Sequence, residues 1–160
     1  MQTFYKGFFV NFIKNLPMKR LFNTSQIKSM TNLGLFILRV STSSCMMVHG
    51  WQKLQMLQSG GAAEFPDIIG IGGATTLYLA IFAEFICAAL ILLGFLTRLA
   101  AIPLIITMFI AVFIVHANDG FQMQEIGALY LTIFVFILIA GPGKYSIDHL
   151  IYKKTKPTHY

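Results

Sequence analysis

The chain has 160 residues, of which 56% are hydrophobic and 11% charged, and its formal net charge is +6. Soluble domains carry about 25% charged residues, so this composition excludes a water-exposed globular enzyme, and the apolar content excludes a disordered chain. Two cysteines are too few for a disulfide framework or a four-cysteine zinc site. The composition therefore predicts a small, single-domain integral membrane protein, and we predict no metal site in it.

The chain begins with an apolar stripe at helical spacing, from which Lys6 and Lys14 point away. Such a pattern is typical of a helix that lies on a membrane surface. We therefore predict a basic amphipathic segment over residues 1–30. The alternative is a start of translation at Met18, which would leave this stripe untranslated. The stripe consists of Phe4, Phe8, Phe9, Phe12, Ile13 and Leu16.

Four apolar segments follow, each close to the 20 residues that a helix needs to cross a hydrocarbon core about 30 Å thick. Their residues do not alternate in polarity as barrel strands do, so the sequence predicts helices. The fold class is an all-α membrane protein with a four-transmembrane-helix bundle over residues 31–152 and a basic tail over residues 153–160. The predicted spans are Leu33–Val48 (extendable to Trp51), Thr75–Phe95, Leu99–Val115 and Ile126–Ala140.

The distribution of basic residues predicts the orientation of these spans. Lysine and arginine concentrate on the cytoplasmic side of membrane proteins. Both termini are therefore predicted to be cytoplasmic, with the loop Gln52–Ala74 outside. Charge at these positions favours membrane lipid as a partner over nucleic acid. The basic residues beside the first and fourth spans are Lys6, Lys14, Lys19, Arg20, Lys28, Lys144, Lys153, Lys154 and Lys156.

Two ionisable residues interrupt the apolar spans, where charged side chains usually face protein or water. Arg39 lies about 12 Å from the inner end of the first predicted span, at 1.5 Å per residue. Glu84 lies about 14 Å from the outer end of the second. These depths nearly coincide in a 30 Å core, so the sequence predicts a structural ion pair between Arg39 and Glu84.

Four further polar residues, His49, Lys53, His116 and Glu125, are predicted to reach the outer membrane level from three helices, where facing side chains can build a site. An imidazole can transfer protons near neutral pH, and an ammonium group can stabilise developing negative charge. The alternative is that all four are ordinary interfacial residues. Haem is disfavoured, because both histidines stand at helix ends and no second pair exists.

The end of the chain carries a helix-start signal after Gly141-Pro142-Gly143. Ser146 is predicted to cap a short interfacial helix that runs through Tyr152, because serine side chains accept hydrogen bonds from the first turn. The apolar residues of this helix, predicted to face lipid, are Ile147, Leu150 and Ile151.

In order and spacing, these motifs resemble the DoxX family from about Leu33 to Leu150. The resemblance implies a multi-pass protein of the bacterial inner (cytoplasmic) membrane. Some members form the quinone-reducing membrane subunit of a thiosulfate:quinone oxidoreductase, and others are partners of oxidative-stress enzymes. The matching pieces are Leu38-Arg39, His49-Gly50-x-x-Lys53, Glu84, Leu93-Gly94-x-x-Thr97-Arg98-x-Ala100, His116 with Asn118-x-Gly120-Phe121, Glu125, and Gly141-Pro142-Gly143-Lys144-Tyr145-Ser146-x-Asp148.

Three functions remain open from the sequence. The first is a quinone-linked oxidoreductase subunit, with quinone held by Lys53 and His116 and electrons supplied by a donor or by other membrane or peripheral subunits. The second is a non-catalytic anchor or assembly subunit, and the third is a small transporter lined by Arg39 and Glu84. The catalytic candidates for the first are His49, Lys53, Glu84, His116 and Glu125.

Overall fold

The computed structural model describes residues 28–155, and these residues are helical with no strand among them. Every contact given below lies within residues 32–155, which belong to one compact unit. The predicted surface helix before residue 28 and the basic tail after residue 155 lie outside the described part. The helices are α1 (Lys28–Gln58), α2 (Gly73–Leu93), α3 (Thr97–Val115), α4 (Phe121–Ala140) and α5 (Ile147–Thr155).

The predicted all-α fold with four membrane-spanning helices is confirmed, since α1 to α4 are each long and apolar enough to cross a bilayer. Their bounds differ from the prediction chiefly in α1, which has 31 residues and ends at Gln58 instead of near Val48. Residues 52–58 contain no glycine or proline, so the helix continues until Gly60, which adopts a positive φ of 84°. The first loop is correspondingly shorter than predicted, covering residues 59–72.

Two close approaches set the register between the antiparallel helices α1 and α2. A Cβ atom on Gly50 would stand 2.6 Å from the carbonyl carbon of Glu84, and one on Gly94 would overlap the Arg39 guanidinium. Residue 50 is therefore level with residue 84, and residue 39 with residue 94. The two intervals, 11 residues on α1 and 10 on the α2 side, agree with an antiparallel helix pair.

The interior of the bundle takes side chains from all four spanning helices. Met46, Ala88, Leu104 and Phe134 belong to one buried apolar cluster, with one residue from each helix. A third close approach holds α3 to α4, where a Cβ on Gly127 would lie 2.8 Å from a methyl carbon of Val112. The bundle is thus packed through small residues at its helix contacts, as is usual for helices in lipid.

Two of the spans contain a π-helical turn, which the sequence analysis does not predict. In α2 the turn covers Phe82–Cys87, and in α3 it covers Ala111–Val115, where the His116 amide donates to the Ala111 carbonyl oxygen at 2.9 Å. Such turns are rare and occur often at functional sites, because the extra residue shifts the side chains that follow it. Glu84 lies inside the first of them.

The predicted cap of the last helix is confirmed. The Ser146 hydroxyl oxygen accepts a hydrogen bond from the His149 amide at 3.2 Å. The helix runs to Thr155, three residues beyond the predicted end at Tyr152.

Gly50→Ala should destabilise the protein by about 1–3 kcal/mol, because the added methyl group meets the backbone of Glu84, which cannot move aside as a side chain can. Gly34→Ala is the matched control on the same helix, since a Cβ there meets nothing within 4 Å. The control should be neutral or stabilise slightly through helix propensity. Unfolding in mixed micelles measures both, and equal effects would contradict the α1–α2 register.

The predicted orientation is testable at Ser59, which is exposed just after α1. In a protein whose native cysteines are replaced by alanine, Ser59→Cys should react with a membrane-impermeant maleimide in intact cells. Thr155→Cys, exposed at the end of α5, should react only after permeabilisation. The reverse pattern would place the termini outside.

Candidate functional site

An ion pair with a buried carboxylate and a partly exposed ammonium group joins α1 to α2 at the level of the first π turn. The Lys53 ammonium group donates a hydrogen bond to the Glu84 carboxylate. Glu84 lies eleven residues into α2 and its side chain is 4% exposed, whereas 27% of the Lys53 side chain is exposed. Burying an isolated carboxylate in such a place would cost much free energy, and the nearby ammonium group offsets part of that cost.

The predicted ion pair between Arg39 and Glu84 is wrong. The Arg39 guanidinium instead donates to two backbone carbonyl oxygens, at 3.1 Å to Pro142 and 2.6 Å to Tyr145. The reason is the register in which α1 packs against α2, because the contact of the Arg39 guanidinium with Gly94 places these two residues at the same level. Glu84 is ten residues from that level, or about 15 Å along α2.

A glycine and two aromatic rings lie beside the Lys53–Glu84 pair at the contact between α1 and α2. Gly50 brings the two helix backbones together directly beside Glu84. The rings of Trp51 and Phe85 lie with centroids 6.0 Å apart across the same helix contact. Low-dielectric surroundings strengthen any electrostatic interaction that the pair makes with a third group.

His49 packs against a residue that the sequence analysis does not single out. Its ring meets the Tyr130 ring of α4 edge-on, with centroids 6.2 Å apart. Tyr130 and Cys45 line a groove of about 330 Å³ between α1 and α4. The signal available in the sequence was a phenol hydroxyl within an otherwise apolar span, since a buried tyrosine usually has a polar partner.

The other two predicted site residues lie at the junction of α3 and α4. His116 Nδ1 is 2.8 Å from a carboxylate oxygen of Asp119, and the Gln124 amide donates to the His116 carbonyl oxygen at 2.8 Å. Glu125 is exposed near the start of α4, just past its first turn.

Across residues 28–155, the structure joins one predicted site residue to another in a single case, Lys53 to Glu84. No hydrogen bond or ion pair there connects any two of His49, Lys53, His116 and Glu125. Their shared role stays a prediction. Within the same residues, no three His, Cys, Asp or Glu side chains form a group that could hold a metal ion.

Comparison with known proteins gives consistent matches. The sequence model of the DoxX family matches residues 34–117, a stretch that includes Lys53 and Glu84 but ends before Glu125. The chain is similar to the inner membrane protein YqjF of Escherichia coli, with 30% identity over 132 residues, 80% of this chain and 99% of the relative. It is also similar to an uncharacterized membrane protein of Mycobacterium tuberculosis, with 30% identity over 132 residues, 73% of this chain and 80% of the relative. No solved structure matches the chain.

Proposed function

Because this chain belongs to the DoxX family of integral membrane proteins, we propose that it is the quinone-binding membrane subunit of an oxidoreductase. The Lys53–Glu84 pair is the place where the quinone head group exchanges protons. The name of the Escherichia coli relative supports the bacterial inner membrane as its location. The observation that carries the proposal is the ion pair itself, whose carboxylate is buried halfway along an apolar span.

Stability alone gives no reason for an ion pair at this position. Buried ion pairs are often no more stable than apolar residues of similar volume. Ionisable groups inside a bilayer are rare and mark binding sites or proton paths. The unequal exposure of the two partners also favours a binding role, because a head group can reach Lys53 while Glu84 stays behind it.

Reduction of a quinone to a quinol takes up two electrons and two protons. An ammonium group near a quinone oxygen stabilises the negative charge that forms as electrons arrive. Glu84, held against Lys53, would take up one proton that derives from water and pass it to that oxygen, and the second proton would reach the other quinone oxygen from water. The electrons come from outside this chain, from a soluble reductant such as thiosulfate or from a partner subunit. His49, one helical turn before Lys53, is the adjacent group able to exchange protons with water.

The test is the amount of quinone that can be extracted from protein purified with its native lipids. Lys53→Met and Glu84→Gln should each lower the bound quinone per protein about tenfold or more, as expected for loss of a hydrogen bond to a charged group. Lys154→Met is the matched control, because it removes the same charge from exposed α5 and should leave the quinone content unchanged.

Folding of each variant is checked by its unfolding curve in the same detergent. If folded Lys53→Met and Glu84→Gln proteins both keep the wild-type quinone content, the proposal is wrong. The pair would then be structural, and a membrane anchor or assembly subunit would be the better description.

A further inference from the structure

A cleft with both polar and apolar lining lies at the opposite end of the bundle from the first loop, where the chain returns after α4. It has a volume of about 380 Å³ and opens between the start of α1, the segment after α4, and α5. This cleft takes no part in the proposed quinone chemistry, since it lies on the Arg39 side of the bundle, about 15 Å or more along the helices from Glu84. Its lining residues are Asn32, Pro142, Gly143, Lys144, Asp148, His149 and Tyr152.

The backbone that forms the cleft is held in place by buried and local hydrogen bonds. Arg39, 2% exposed, donates to the carbonyl oxygens of Pro142 and Tyr145. The Asn32 side-chain oxygen accepts a hydrogen bond from the Lys144 amide at 2.9 Å. A cleft whose frame is fixed in this way loses little conformational entropy when a ligand binds.

The acidic residue in the cleft already has partners. The Asp148 carboxylate accepts hydrogen bonds from the Leu96 amide at 2.8 Å and from the Thr97 amide at 3.0 Å. The carboxylate thereby accepts hydrogen bonds from amide groups at the N-terminus of α3, where a negative charge is favourable. The Arg39 guanidinium is also an electrostatic neighbour of this carboxylate, so the Asp148 charge is already offset. Lys144 is the cationic side chain that lines the cleft, and it suits the cleft to an anion.

Helix α5 has two faces, and they suit a position along the membrane surface. One face carries Ile147, Leu150 and Ile151, all exposed, at the spacing of a single helical stripe. The other face, with Asp148 and His149, borders the cleft. A short helix with an apolar stripe and terminal lysines is typical of a segment embedded at the level of lipid head groups.

We propose that the cleft between Asn32, Lys144 and His149 binds the phosphate group of an anionic phospholipid, with α5 lying in the interface beside it. Charge complementarity selects the head group, since Lys144 lines the cleft just before α5 begins at Ile147. The apolar stripe of α5 selects a lipid over a soluble anion, because only a lipid supplies acyl chains next to its phosphate.

The experiment follows the thermal unfolding of detergent-purified protein during titration with phosphatidylglycerol, phosphatidylcholine or inorganic phosphate. Phosphatidylglycerol should raise Tm in a saturable way, and the other two should not. Lys144→Gln should weaken the apparent affinity for phosphatidylglycerol about fivefold, as expected for one lysine at an anionic surface. Lys144→Arg, which keeps the positive charge, should retain the wild-type affinity for phosphatidylglycerol.

Lys153→Gln is the matched control, because it removes one charge from the same end of the protein at a residue that does not line the cleft. Its affinity should change less than about twofold. Equal losses in Lys144→Gln and Lys153→Gln would show diffuse surface attraction and overturn the proposal. An equal Tm shift with inorganic phosphate, or no shift of the wild-type protein with phosphatidylglycerol, would overturn it as well.

Retention of lipid by wild-type protein in native mass spectrometry provides a second measurement that needs no variant. Preferential retention of phosphatidylglycerol over phosphatidylcholine supports the cleft, and equal retention contradicts it. Because Lys144 is far from Lys53, the quinone content of Lys144→Gln should equal that of the wild type. The two proposals can therefore fail separately.

Discussion

Lys53→Met should destabilise the folded protein by about 3–5 kcal/mol, because it leaves the Glu84 carboxylate buried without its partner. Glu84→Gln should be destabilising too, since the Lys53 ammonium group then lacks its counter-charge. The double variant Lys53→Met/Glu84→Gln removes both charges, so it should be more stable than the sum of the single effects by about 2 kcal/mol. Unfolding by sodium dodecyl sulfate in mixed micelles, followed by circular dichroism, measures each free energy.

The control for this double-mutant cycle is a second cycle on Arg39 and Glu84, the two residues that the sequence predicted to form an ion pair. Arg39 and Glu84 do not touch, so Arg39→Met and Glu84→Gln should have additive effects within about 0.5 kcal/mol. Coupling between Arg39 and Glu84, together with additivity between Lys53 and Glu84, would show that Arg39 and not Lys53 is the partner of Glu84.

The same double variant separates the structural role of the pair from its proposed chemical role. Removing both charges together avoids an unpaired buried charge, so the protein should fold. It should nevertheless lack bound quinone, because neither the ammonium group nor the carboxylate remains. A folded double variant with wild-type quinone content would leave the pair as a structural element only.

Arg39→Met should cost about 3 kcal/mol or more of folding free energy, because two hydrogen bonds from a charged donor that is only 2% exposed are lost. The effect should be concentrated in the segment that Arg39 holds. Amide hydrogen exchange over residues 141–155 should accelerate far more than exchange in α3, since local opening follows the loss of local contacts.

Arg98→Met is the matched control for this change. Arg98 is exposed and donates to the Ile139 carbonyl oxygen at 3.2 Å, so water can replace its hydrogen bond. Its loss should cost less than about 1 kcal/mol. Unchanged exchange over residues 141–155 in Arg39→Met would show that other contacts hold this segment.

The four spans, the glycine-rich first loop and the cap of α5 were accessible from the sequence because each depends on neighbouring residues. Whether a segment crosses a bilayer is decided by about 20 consecutive side chains, and Thr75–Phe95 is apolar enough on its own. Ser146 caps α5 through the amide of His149, three residues away. The motifs around Arg39, Lys53 and Glu84 likewise indicated the family without any knowledge of their contacts.

The partner of Glu84 was decided by the tertiary structure alone. It depends on how far α1 slides along α2, and that register is set where Gly50 meets Glu84 and Gly94 meets Arg39, residues far apart in the chain. Depths counted from assumed span ends misjudged Arg39, because α1 begins before the apolar run and continues past it. The chain segment that receives Arg39 is more than 100 residues away, and its backbone carbonyl oxygens carry no sequence signal. A helix forms from local hydrogen bonds, but which of its side chains meet depends on packing between helices that no local pattern specifies.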